Sequence, residues 1–121
     1  MLQPRSIVTV ADNTGAKKVG VFKVLGDSRR RYAQIGDIVV VSVKSAEPRK
    51  AVKKKDILKA LVVRQRNPYH RKDGTSIRFD DNAVVILDGA EPKGGRIFGP
   101  IPREIKEKGY QTIASLAQEL V

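Results

Sequence analysis

Apolar residues fall in short Val- and Ile-rich runs separated by Gly, Asp and basic residues. Residues 6–10 read as a strand that runs into Ala-Asp-Asn-Thr-Gly at 11–15, where Asn13 and Gly15 suit a tight turn. Residues 17–25 read as a second strand, with Val19 and Val21 on one face and Gly26 as its end. Residues 37–44 are a third. Val39, Val41 and Val43 share a face there, and Ile38 and Val40 add apolar side chains on the other, which predicts burial on both sides near its start. Residues 57–66 are a fourth, apolar through Val63 and then basic. Residues 76–79 and 83–87 have the pattern of a hairpin turning on Asp80-Asp81-Asn82.

The tail differs. Pro100 and Pro102 precede a polar stretch at 103–108, where Pro102 fits a first helical position and Gly109 a helix end. Glu104 and Lys108 stand four apart, as on a short exposed helix. Residues 112–116 form one more turn, with Thr112 as cap. Close-spaced strands without a long helical period between them predict a mainly β fold, an antiparallel barrel with a short C-terminal α-helical appendage. Closure into a barrel also removes exposed sheet edges. A single domain is expected over residues 1–121, with the barrel and its basic loops in 1–90 and a loop and short helices in 91–121.

Composition sharpens this picture. At 40% hydrophobic residues the chain can bury one modest core and is not a disordered tail. It has no Trp and 5% aromatic residues, so Val, Ile, Leu and Ala must build that core. The net charge of +11 opposes compaction, because like charges repel. It makes sense where a polyanion supplies the counter-charge; nucleic acid is the first candidate and an anionic membrane surface the second. The charge is uneven: residues 1–79 hold 19 basic and 6 acidic side chains, a net +13, and residues 80–121 hold 5 and 7, a net −2. The polyanion should therefore meet the first two-thirds of the chain, and a protein partner the tail. With no Cys, disulfides, thiolate zinc sites and cysteine nucleophiles drop out, as suits a reducing cytoplasm. No apolar run approaches the roughly 18 residues of a membrane span, and no signal peptide is expected.

Basic residues cluster between the strands. Arg29, Arg30, Arg31 and Tyr32 lie between the second and third. Arg49, Lys50, Lys53, Lys54 and Lys55 lie between the third and fourth. Arg64, Arg66, Arg71, Lys72 and Arg78 run through the next loop, and Lys17 and Lys18 follow the first turn. Consecutive cations repel one another unless water or phosphate receives them, and the planar fork of Arg suits phosphate. A single basic triplet is more often a solvated loop; three clusters in one barrel favour nucleic acid. Charge does not separate RNA from DNA. Tyr32 and Tyr69 are candidates for stacking on unpaired bases, whereas Phe79 reads as core.

Catalytic motifs are weak. His70 is the single His, in a basic loop with no nucleophile paired to it by motif. Asp80, Asp81 and Asp88 lack the spacing of an EF-hand. Gly94, Gly95 and Gly99 lack the Gly-Lys-Ser/Thr ending of a phosphate loop. No enzyme activity, metal or cofactor is expected; a nuclease-like enzyme and a free single-strand binder of the OB or cold-shock kind are the competing readings.

Nearly the whole chain also resembles a known family. The matching stretches are VADNTGAKKV at 10–19, RRYAQIGDIVVVSVK at 30–44, KDILKALVVR at 55–64, DGTSIRFDDNAVVIL at 73–87, GRIFGP at 95–100 and SLAQELV at 115–121. The most specific piece is a spacing: Ala60, then Leu61-Val62-Val63, then Asp73-Gly74, Phe79 and Asn82. These resemble bacterial-type ribosomal protein fourteen of the large subunit. The resemblance implies a five-stranded barrel with a small helical part and a cytoplasmic, ribosome-bound protein. It also implies binding to large-subunit rRNA, a share in a bridge to small-subunit rRNA, contact with ribosomal protein nineteen, and docking of the ribosome silencing factor. Arg96, Phe98, Arg103 and Ser115 are the expected protein-contact residues. There are departures from the family pattern: Lys55 stands where the family has Gly, Gly95 where it has Thr, and Gln118 where it has Pro.

Overall fold

Strand formation follows the Val/Ile alternation closely in the computed structural model, which describes residues 2, 6–25, 32–48 and 52–121. β1 spans Ile7–Val10, β2 Ala16–Val24, β3 Ile38–Ala46 and β4 Ile57–Arg64. A two-stranded ribbon follows, β5 (Tyr69–His70) and β6 (Ser76–Ile77), and then β7 (Ala83–Asp88). The tail holds β8 (Glu91–Pro92), β9 (Pro100–Ile101), α1 (Glu104–Glu107), α2 (Gln111–Leu116) and β10 (Glu119–Leu120).

Strands β1, β2, β3, β4 and β7 close into a five-stranded barrel. Neighbours are antiparallel except at the closing seam, where β1 and β7 run parallel with Thr9 opposite Ala83 and Val10 opposite Val84. The expected barrel is present, with one parallel junction that local patterns do not signal. β2 departs from simple alternation. Register shifts at Lys18 and between Val21 and Lys23 turn two neighbouring residues outward twice, Lys17-Lys18 and Phe22-Lys23.

Two cores result. Inside the barrel, Val8, Val10, Val19, Val21, Val39, Val41, Val43, Val62, Val84 and Ile86 pack together. Outside it, Leu61, Val63, Val85 and Leu87 project from β4 and β7 against Ile97, Ile101, Ile105 and Ile113 of the tail. This is why Ala60–Val63 and Ala83–Leu87 are apolar at every position: both faces are covered. Each fully buried Leu, Ile or Val adds about 1.5–3 kcal/mol, which fastens the tail to the barrel.

The 76–79/83–87 hairpin expected around Asp80-Asp81-Asn82 does not form. β6 pairs with β5, Tyr69 opposite Ile77 and His70 opposite Ser76. The Asp73 carboxylate closes that ribbon's turn by accepting from Thr75 N (3.0 Å) and Thr75 Oγ1 (2.6 Å). β7 is taken instead by the barrel, which offers it a neighbour on each edge.

α1 is shorter than the expected 103–108, α2 begins one residue earlier than the expected 112–116, and both are differently capped. Arg103 holds the N-cap of α1, so Pro102 lies one residue outside the helix. The end of α1 is as expected. Gly109 sits at φ +98°, with Gly109 N donating to Lys106 O and Tyr110 N to Ile105 O, the paired bonds of a Schellman cap. Tyr110, not Thr112, is the N-cap of α2, and Thr112 lies within the helix. Glu104 does not stand on a free helix face; it pairs with Arg71.

Candidate nucleic-acid interface

The turn at 11–15 ties the barrel to the segment that carries Arg96 and Phe98. Asp12 is buried. Its Oδ1 accepts from Thr14 N (3.2 Å) and Thr14 Oγ1 (2.6 Å), and its Oδ2 accepts from Ile86 N (2.8 Å). Burial raises the Asp12 carboxyl above the ordinary aspartate range, and these hydrogen bonds offset only part of the effect. Next to it, Asn13 Oδ1 accepts from Gly95 N (2.9 Å) and Arg96 N (3.2 Å), and Ala11 O accepts from Phe98 N (2.6 Å). Arg96 and Phe98 are thereby held at the surface. Asp12 and Asn13 act across more than 70 residues of chain. Sequence reading finds only their local turn, since an Asx side chain does not advertise a distant partner.

The loop between β3 and β4 presents Lys53, Lys54 and Lys55, all exposed. Val52, fully buried, anchors it. Asp56 Oδ2 accepts from Lys53 N (3.0 Å), and Val43 O accepts from Lys55 N (2.9 Å). Lys55 has φ +75°, the left-handed region that favours glycine. Lys55 adopts this conformation although it is not glycine, and its cation stands beside two others.

Two arginines assigned to RNA from sequence lie elsewhere. Arg64 is buried; its Nη1 donates to Phe98 O (3.0 Å) and Pro100 O (3.3 Å), and its Nε lies 3.2 Å from Asp81 Oδ1. A Cβ at Gly99, which sits at φ +81°, would collide with the Arg64 guanidinium, so this glycine lets the segment close over the arginine. Arg71 Nε lies 2.6 Å from Glu104 Oε1, and Arg71 Nη2 donates to Val121 O (2.7 Å). Both arginines staple the tail to the barrel and its ribbon, and neither is free for phosphate.

The other described cations of the expected set, Lys17, Lys18, Arg66, Lys72 and Arg78, are exposed, as is Tyr32. Arg29, Arg30, Arg31, Arg49 and Lys50 lie outside the described residues. Of the expected protein-contact residues, Arg103 is exposed beside Asp73 at 3.4 Å, and Ser115 Oγ donates to Thr112 O (2.7 Å) on the outside of α2. Tyr69 and Phe79 pack against the tail core and are poorly placed for base stacking.

A cleft of about 410 Å³ opens between the ribbon and α1, with Tyr69, His70, Lys72 and Glu107 among its walls. His70 Nδ1 lies 2.9 Å from Ser76 Oγ, a cross-strand pair exposed at the ribbon's edge. Among the described residues no carboxylate orients its second nitrogen, as a hydrolytic triad requires. Four of the cleft's charged side chains are paired with one another, Arg71 with Glu104 and Arg103 with Asp73. Among the described residues no group of three or more His, Asp or Glu is placed to hold a metal ion.

A family model described as Ribosomal protein L14p/L23e matches residues 1–121, the full length of the chain.

Proposed function

The chain belongs to the family of ribosomal protein L14p/L23e and is a structural protein of the large ribosomal subunit, and from that premise we propose that it binds large-subunit rRNA through its exposed cations. The observation that carries this reading is a division of the surface. The net charge of +13 lies in residues 1–79, and its described loop cations stand exposed, apart from Arg64 and Arg71, which hold the tail. Phosphate neutralisation supplies most of the affinity and the barrel supplies shape. If about six phosphates are engaged, log affinity falls against log salt with a slope of roughly −4 to −5.

The tail serves protein contacts. Its net charge is −2 from residue 80 onward, and Arg96, Phe98, Arg103 and Ser115 are displayed on it. Ribosomal protein nineteen and the silencing factor are the partners proposed for this side. A bridge to small-subunit rRNA completes the role in translation, in the cytoplasm.

The test is sedimentation of a lysate on a sucrose gradient, repeated at low magnesium to separate the subunits. Co-migration with the large subunit after separation is expected. A peak at the top of the gradient, free of ribosomes, would overturn the reading in favour of a free RNA binder. Lys53→Glu/Lys54→Glu/Lys55→Glu should weaken RNA binding or assembly with the barrel still folded, and unaltered assembly would remove that loop from the contact set.

A further inference from the structure

The tail covers one side of the barrel's outer surface, over β4 and β7. Among the described residues the other side stays open, with Ile7, Phe22 and Ile57 exposed. On this open side the strands have an unusual composition: β1 through β4 contain no Asp or Glu, and their exposed charges are Lys17, Lys18, Lys23, Lys44 and Lys59. None of these lysines forms an ion pair with a described residue. Among them stand large apolar side chains with no cover, Ile7 at 65% exposure, Ile57 at 66% and Phe22 at 49%.

The register places these groups in rows. Ile7 lies opposite Gly20, Gly20 opposite Ser42, and Ser42 opposite Ile57. The two isoleucines thus flank a dip three strand spacings wide, at most about 14 Å. Gly20 keeps the dip low, and the Lys44 side chain lies across it, its Cε 3.0 Å from where a Cβ at Gly20 would be. In the neighbouring row Val40 stands between Lys23 and Lys59. The hydroxyls of Thr9, Ser42 and Ser45 complete the strip.

We propose that this open barrel face, centred on Ile7, Gly20, Lys44 and Ile57, docks along the wide, shallow groove of a double-helical RNA segment. This rests on the rRNA-binding reading and gives it a location outside the loops and a form of RNA. Unopposed lysines favour a polyanion over a protein surface of mixed charge. A platform for single strands needs aromatic side chains on adjacent strands, and here Phe22 stands without an aromatic neighbour across the register. The shallow groove of A-form RNA displays riboses and 2′-hydroxyls between phosphate rows. Aliphatic side chains suit the ribose faces, Ser and Thr hydroxyls the 2′-hydroxyls, and flanking lysines the phosphates.

The test uses the full chain in titrations with an RNA duplex of about 16 base pairs, the DNA duplex of the same sequence, and one RNA strand alone. The duplex RNA should bind tightest. Lys23→Gln/Lys44→Gln/Lys59→Gln should lower its affinity roughly tenfold or more and reduce the salt slope by roughly 2–3. Ile7→Ser/Ile57→Ser, at exposed positions that leave the cores intact, should weaken duplex RNA while leaving the salt slope unchanged. Lys53→Gln/Lys54→Gln/Lys55→Gln is the control. If that loop variant loses affinity while both face variants bind as the parent does, this proposal fails and the rRNA reading stands. If no RNA binds above the DNA duplex, the rRNA reading itself fails. Unchanged duplex binding by the face variants, together with their loss from the large subunit, would assign the face to a protein and overturn the proposal.

Discussion

The barrel has one wall and two outer surfaces, and β4 passes from one to the other. Ile57 and Lys59 point outward into solvent; Leu61 and Val63, next on the same face, are fully buried under the tail. β3 makes the same passage, from Ile38 packed on the second core to exposed Lys44. The strand geometry is continuous across this boundary. What changes is the side chain, from lysine and isolated aliphatics to an unbroken apolar run. The lesson is that one sheet supports both a cationic face and a tail-binding face, and that the tail packs on the apolar side.

That contrast can be broken most forcefully at β4. Leu61→Lys should destabilise the protein by about 4 kcal/mol or more, since it buries an unpaired charge. Ile57→Lys, four residues earlier on the same face, should stay within about 0.5 kcal/mol. Denaturant unfolding of the two variants compares them directly, and similar losses would mean that the open side is also covered. A smaller effect is expected at the staples. Arg71→Ala leaves Glu104 unpaired at 12% side-chain exposure and should cost about 3 kcal/mol. Hydrogen exchange should then show lost protection in residues 101–121 with the barrel strands unchanged. Uniform loss across both regions would show that the two cores unfold as one unit.

Lys55→Gly should act in opposite directions on folding and binding. Relief of the left-handed backbone adds about 1 kcal/mol of stability, while one lost phosphate contact lowers the salt slope by roughly 0.7–0.9. A gain in stability with no change of slope would place Lys55 outside the RNA contact. The smallest effect separates two carboxyls. Asp12, raised by burial, contributes stability that is present below its unfolded value and lost as pH rises through its folded one. Asp73, lowered chiefly by the Thr75 hydroxyl hydrogen bond, contributes stability that is present above its unfolded value and lost as pH falls through its folded one. Carboxyl-carbon NMR should find the Asp12 midpoint above that of Asp73, and the reverse order would contradict the buried setting of Asp12.

Much of the barrel was legible because period-two alternation is a local property. Val39, Val41 and Val43 announce β3 without reference to any partner. The 83–87 segment was read as a strand, and its partners were missed: barrel closure joins it to β1, 74 residues away by register. The candidate interface was legible in its loops and not on its wall. Lys23, Lys44 and Lys59 are isolated in sequence, and only the register brings them to one face. Arg64 and Arg71 were misread for the converse reason. They sit in a basic stretch, and their carboxylate partners, Asp81 and Glu104, are 17 and 33 residues distant.

By itself, then, the sequence determined the class of fold, the charge division and the family, because periodicity, composition and short motifs are summed over neighbours along the chain. Tertiary structure decided which cations stay free, which carboxylates silence the others, and which side of the barrel remains open. Those outcomes depend on pairings between residues far apart in the chain, and a charge is available to phosphate only where folding has brought no carboxylate within reach of it.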